Sequence, residues 1–140
     1  MLEDDSDRLY RFAAAVRAID PNLPLLTWRS AHRMIAEVAP LLPHARLISL
    51  DHDLDPWDND PPDPGDGVAV AKFLAMHPQP CPVIIHTSNG TRSDWMAGEF
   101  ELAGWSYRRV APIGEGWIEE YLRVVARELL GPPGRRAAVR

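Results

Sequence analysis

The sequence predicts an α/β protein, a three-layer sandwich in which a five-stranded parallel sheet is covered by helices on both faces. Three observations carry this reading. Segments of helical period alternate in strict order with short apolar runs, five pairs in all. One of those runs, PVIIH at 82–86, is apolar throughout, as strands buried on both faces are. The 14 prolines and 9 glycines gather between the periodic segments, where the elements would join.

The elements follow in order. Met1 and Leu2 are the visible end of a short apolar stretch, followed at once by Glu3, Asp4 and Asp5. Two residues are too few for a central strand, so either its start lies upstream or added residues complete it. Residues 7–19 put Leu9, Phe12, Val16 and Ile19 on one helical face, with Ser6 as the expected N-cap and Asp20-Pro21-Asn22 as the stop. LPLLTW, 23–28, is the second strand candidate. Ser30 caps a helix that turns Ala31, Met34, Ile35 and Val38 inward and ends at Pro40 and Pro43. RLISLD, 46–51, is the third strand candidate. GVAVAKFLAMH, 67–77, is a helix apolar nearly all round and hence well buried. After the fourth strand, 82–86, Thr91 with Asp94 three residues on starts a helix to about Ala103, with Trp95, Met96, Phe100 and Ala103 inward. SYRRV, 106–110, is the last strand, and a helix at 115–130 presents Ile118, Tyr121, Leu122, Val125 and Leu129. Gly131 and Pro132 end it, which gives one domain over 1–130 and a flexible basic tail over 131–140.

Charge is distributed unevenly. The net charge is −5, yet residues 51–66 alone hold seven aspartates and no Lys or Arg, so the remainder is slightly basic. Such a chain is a poor sequence-blind binder of duplex DNA. No run approaches the length of a membrane helix, and an acidic start is the opposite of a signal peptide, so a cytoplasmic location is expected. The single cysteine, Cys81, opens an apolar run and reads as a small buried hydrophobe.

In a parallel sheet, ligands bind at the carboxyl ends of the strands. Those ends carry Glu3, Asp4 and Asp5, then Asp51, His52 and Asp53, then His86, Thr87, Ser88 and Asn89. Carboxylates from adjacent strand ends suit a hard divalent cation, Mg²⁺ or Mn²⁺, which offsets their mutual repulsion. The hydroxyls of Thr87 and Ser88 and the amide of Asn89 can hold phosphate oxygens. His52 and His86 can serve as general acid and base, or as softer metal ligands.

This pattern resembles the receiver domains of two-component signalling, which have a flavodoxin-like (βα)5 fold. By position Glu3 and Asp4 match the acidic pair, Asp51 the phospho-acceptor, Thr87 the hydroxyl and Pro112 the late proline. The receiver lysine is missing, since Ala111 stands there and Lys72, the sole lysine, lies far off in sequence. LEDDSDR, LISLDHDLD, the Asp66-Gly67 turn, VIIHTSN and the spacing from Pro112 to Trp117 are similar to a narrower group, the cyclic-phosphate processing receiver domains. That resemblance covers residues 1 to about 125. It implies action on cyclic phosphates, such as 2′,3′-cyclic ends of RNA, with a small phosphate-bearing ligand or RNA end as partner. It places Glu3, Asp4, Asp51 and Asp53 around a metal and makes His52, His86, Ser88 and Asn89 the distinguishing polar set. The expected activity is a metal-dependent phosphoesterase; the alternative is a receiver-type signalling or interaction module with Asp51 as phospho-acceptor.

Plainer roles compete at several positions. Asp4 and Asp5 can simply favour the positive end of a helix. His52 can be a surface residue, His86 a hydrogen-bonded structural one, and Asn89 part of an Asn-Gly turn. Asp55, Asp58, Asp60 and Asp63 read as solvated loop, with Asp66 capping the next helix, and Trp57 as either a base-stacking or a loop-pinning residue. His32, His44 and His77 read as surface residues. Arg108 or Arg109 can replace the missing lysine.

Overall fold

The computed structural model describes residues 1–56 and 63–133. Trp57, Asp58 and Asp60, and the tail from residue 134 on, lie outside the described residues. In chain order the elements are α1 (Ser6–Ile19), α2 (Ala31–Glu37), a 3₁₀ helix (Ala39–His44), β1 (Ile48–Leu50), α3 (Gly67–Leu74), β2 (Val83–Ile85), α4 (Gly90–Leu102), β3 (Arg108–Arg109), a π-helical turn (Ile118–Leu122) and α5 (Arg123–Leu130).

The sheet is parallel. β1 pairs with β2 in the register Ile48–Val83 to Leu50–Ile85, and β2 pairs with β3 through Ile84–Arg108 and Ile85–Arg109. Two isolated parallel bridges extend the order on the other side, Leu2 with Leu50 and Leu2 with Trp28. The five-stranded sheet expected from sequence is therefore seen as three strands and two bridges. LPLLTW contributes only the bridge at Trp28, because Pro24 has no N–H to donate and Leu26 and Thr27 face solvent. The third and fifth strands shrink to 48–50 and 108–109.

The two faces of the sheet carry separate cores. Leu2, Leu50, Val83 and Ile85 pack with Met34, Val70, Leu74, Met96 and Phe100 of α2, α3 and α4. Ile84 packs on the other face with Phe12 of α1 and with Trp117, Ile118, Leu122, Ala126 and Leu130. Those last four recur every four residues, which keeps one apolar stripe inward through the π-helical turn and α5. Phe12 and Phe100 are fully buried, each contributing about 1.5–3 kcal/mol of transfer free energy. Cys81 is fully buried and its thiol is pushed up to about 12 by burial, as expected of an inert core residue.

Local chemistry moved several boundaries. Asp5, not Ser6, caps α1, accepting the Arg8 N–H at 2.8 Å; adjacent residues of equal capping preference cannot be ranked by sequence. Ser30 and Asp66 cap α2 and α3 as expected. Asn89, not Thr91, caps α4 through the Arg92 N–H at 3.1 Å, which starts the helix two residues earlier. Trp95, Ala103 and Tyr121, expected inward, are exposed. Among the described residues no helix is long and apolar enough to cross a membrane.

Candidate active site at the sheet edge

The backbone ladder sets the site. The Glu3 N–H donates to Trp28 O at 3.0 Å, that of Asp51 to Leu2 O at 3.0 Å and that of His86 to Leu50 O at 2.9 Å. Glu3, Asp51 and His86 each follow the last paired residue of their segment, so they stand side by side in one row. Alternation along a strand puts their side chains on the α1 face, together with Ser49 and Ile84.

This row is buried. Glu3 and His86 are 0% exposed and Asp51 is 5% exposed. His86 Nε2 lies 3.1 Å from Glu3 Oε2, and its Nδ1 lies 2.7 Å from Ser49 Oγ. Burial holds His86 down at about 4, so the ring is neutral at pH 7. The pattern that satisfies both neighbours has Nε2–H donating to Glu3 and the Ser49 hydroxyl donating to Nδ1. Phe12 and Trp117 flank the ring, with centroids at 5.1 and 6.1 Å.

Glu3 Oε1 accepts the N–H groups of Asp4 at 3.1 Å and Asp5 at 3.0 Å, but burial still raises its pKa. Asp51 is pushed up to about 6, first by burial, with the Glu3 charge adding to it. Its Oδ1 accepts the His52 N–H at 2.7 Å. The charge is balanced from α1: Arg8 Nη1 lies 3.8 Å from Glu3 Oε2 and 3.8 Å from Asp51 Oδ2. The Arg8 guanidinium sits 5.4 Å from the Trp117 ring centroid and remains partly open to solvent.

A second polar group lies on the α3 and α4 side. His52 is buried, its Nδ1 has no hydrogen-bond partner, and its Nε2 is 3.6 Å from Asp53 Oδ1. Burial lowers the His52 pKa. Asn89 Nδ2 donates to Asp53 Oδ2 at 3.3 Å, and the Asn89 N–H donates to Thr87 Oγ1 at 3.2 Å. Thr87 is buried and Ser88 is exposed. Gly67 presses the start of α3 onto this segment; its N–H donates to His52 O at 3.0 Å. A Cβ there would stand 2.1 Å from Asp51 O, so the Asp66-Gly67 pair is a steric requirement of the site.

The expected residues therefore divide. Glu3, Asp51 and His86 are brought together, with one ligand atom from each within 4.8 Å of the others. Asp4 and Asp53 stand outside that group: Asp4 Oδ2 accepts the Asp55 N–H at 2.7 Å, and Asp53 is held by Asn89. The donor set, two carboxylates raised by burial and one neutral imidazole, fits a divalent cation, because a cation lowers the cost of two adjacent buried charges. Arg108 and Arg109 are both exposed and pair with Glu128 and Asp94, and Ala111 is exposed. Sequence reasoning missed Arg8 and Ser49. Arg8 lies one turn before Phe12 on the inward stripe of α1, and Ser49 is the polar residue inside an apolar strand; both signals were available.

No curated protein and no solved structure matches the chain. A family model described as the cyclic-phosphate processing Receiver domain matches residues 4–101, which span Asp51, His52 and the segment from His86 to Asn89. The chain belongs to the family of cyclic-phosphate processing receiver domains.

Proposed function

We propose that this domain hydrolyses a cyclic phosphate at the carboxyl edge of its sheet, acting on a 2′,3′-cyclic nucleotide or RNA end. The observation that supports this best is the Arg8 guanidinium, partly open to solvent, beside the buried Glu3 and Asp51 carboxylates. In the reaction a water oxygen bonds to phosphorus and one ring P–O bond breaks. The proton lost by the water is balanced by the one gained by the released ribose oxygen. Asp51, whose carboxyl sits near neutrality, takes the proton from the attacking water. A proton from solvent reaches the leaving oxygen, which the His52 ring, its charged form disfavoured by burial, orients by a hydrogen bond. Arg8, Thr87 and Ser88 hold the phosphate oxygens, Arg8 with the paired N–H geometry that phosphate favours. His86 has both nitrogens engaged, so it positions Glu3 rather than carrying protons. Glu3 and Asp51 would hold a divalent cation such as Mg²⁺ or Mn²⁺, which would supply charge neutralisation at the phosphate. Asp4 and Asp53 support the neighbouring loop and the α4 cap.

The test is turnover of adenosine 2′,3′-cyclic monophosphate with Mg²⁺ or Mn²⁺, followed by ³¹P NMR. Conversion to a monoester supports the reading; no conversion with either ion sinks it. A second reading is favoured by the same guanidinium, which can stand in for the receiver lysine beside a phospho-accepting Asp51. Labelling of Asp51 by acetyl phosphate, without cyclic-phosphate turnover, would select that reading.

A further inference from the structure

Trp95 departs from the core role its spacing suggested. It is 51% exposed on α4, and the Arg92 guanidinium lies over its ring at 3.8 Å. Among the described residues no carboxylate pairs with the Arg92 guanidinium, although the chain is acidic overall. Arg92 is the third residue of α4, and its N–H is the one capped by Asn89. Asn89 and Trp95 are about 9 Å apart along the helix, and because β2 and β3 are parallel α4 runs back along the sheet, so the stack lies on the flank of α4 within two turns of the edge where Thr87, Ser88 and Asn89 stand.

We infer that the Arg92–Trp95 stack is the platform for the nucleobase of the ligand whose phosphate occupies the sheet edge. An exposed ring pre-packed by a guanidinium offers a flat, cationic surface with little ordering left to do, and bases stack on both groups. Trp95's nearest neighbours along the helix are Thr91, Arg92, Gly98 and Glu99, none of them a large apolar side chain. Stacking reads the face of a base and not its edge, so purines would be held more tightly than pyrimidines, with little discrimination between adenine and guanine.

This inference rests on the phosphate site proposed above, and the experiment separates the two. Affinities of the full chain for adenosine 3′-monophosphate, cytidine 3′-monophosphate and inorganic phosphate are compared by calorimetry, for wild type, Trp95→Ala and Trp95→Phe. The expected result is that Trp95→Ala weakens adenosine monophosphate binding by about tenfold or more, with phosphate affinity unchanged, and that Trp95→Phe recovers most of the loss. Because Trp95 is half exposed, the melting temperature of Trp95→Ala should match wild type, so a lost affinity reports the stack and not the fold. If phosphate binds but the nucleotide binds no tighter, or binds equally to wild type and Trp95→Ala, the platform is overturned and the phosphate site stands. If wild type binds neither, both readings fall.

Discussion

On the α1 side of the sheet edge, Glu3, Asp51 and His86 are almost wholly buried and pack against Ser49, Arg8, Phe12 and Trp117. On the α3 and α4 side, Asp53, Ser88 and Arg92 reach water, and their contacts include the α4 cap, the Asn89–Asp53 hydrogen bond, the His52–Asp53 pair at 3.6 Å and the Arg92–Trp95 stack. The same residue types stand in both places, carboxylate, imidazole and guanidinium. Burial separates the carboxylates: it raises Glu3 and Asp51, whereas Asp53 faces water, while the imidazoles His86 and His52 are buried on their respective sides and each has its charged form disfavoured. The buried side is therefore suited to chemistry and the open side to holding and orienting a ligand.

The largest break in that contrast should come from His86→Ala. It leaves Glu3 Oε2 and Ser49 Oγ without their partner and opens a hole between Phe12 and Trp117. A loss of about 3 kcal/mol in urea unfolding is expected; a loss below about 1 kcal/mol would mean that the buried row is not structurally coupled. A divalent cation should act in the opposite direction. Mg²⁺ or Mn²⁺ at a hundredfold excess over its Kd should stabilise the wild type by roughly 2.7 kcal/mol, read as a rise in melting temperature that Asp51→Ala abolishes. An equal rise in both proteins would place the ion elsewhere. On the open side, Asn89→Ala removes the α4 cap and the hold on Asp53, and about 1 kcal/mol is expected. Least sensitive should be the ion pair between Arg11 and Glu119 at 2.7 Å, where the same groups meet in solvent. The Arg11 hydrogen bond holds Glu119 down to about 2 from an ordinary 4.5. Its contribution is thus present above pH 4.5 and is lost as pH falls towards 2. Glu119→Gln should cost well under about 1 kcal/mol at pH 7, and the small difference from wild type should vanish at acid pH.

Much of the fold was legible because burial writes itself as periodicity. VII at 83–85 and the stripe of α1 are where the apolar pattern placed them. The second strand was not, because the apolar content of LPLLTW is real while Pro24 interrupts hydrogen bonding. Glu3, Asp51 and His86 were legible as strand-end residues, since the ladder that aligns them follows from a parallel sheet. Asp4 fell outside the group because one residue along a strand end is enough to turn a side chain away, and Asp53 because it lies beyond the strand and is held by Asn89. Arg8 was not read as part of the site, since a helix-borne residue reaches the edge only through packing of α1 on the sheet. Trp95 was misplaced for a related reason: helical spacing gives a face, but the angle at which α4 docks decides which side of that face is covered.

The most direct measurement is the rate of cyclic-phosphate opening by wild type and Asp51→Asn, with adenosine 2′,3′-cyclic monophosphate and Mg²⁺ or Mn²⁺, followed by ³¹P NMR. Asn keeps the size of the side chain and removes its capacity to take a proton. The expected result is clear turnover by wild type and a fall of about 100-fold or more in kcat for the variant, with a melting temperature no lower than that of wild type. Equal rates in the two proteins would contradict the claim that the buried carboxylates at this edge carry the chemistry.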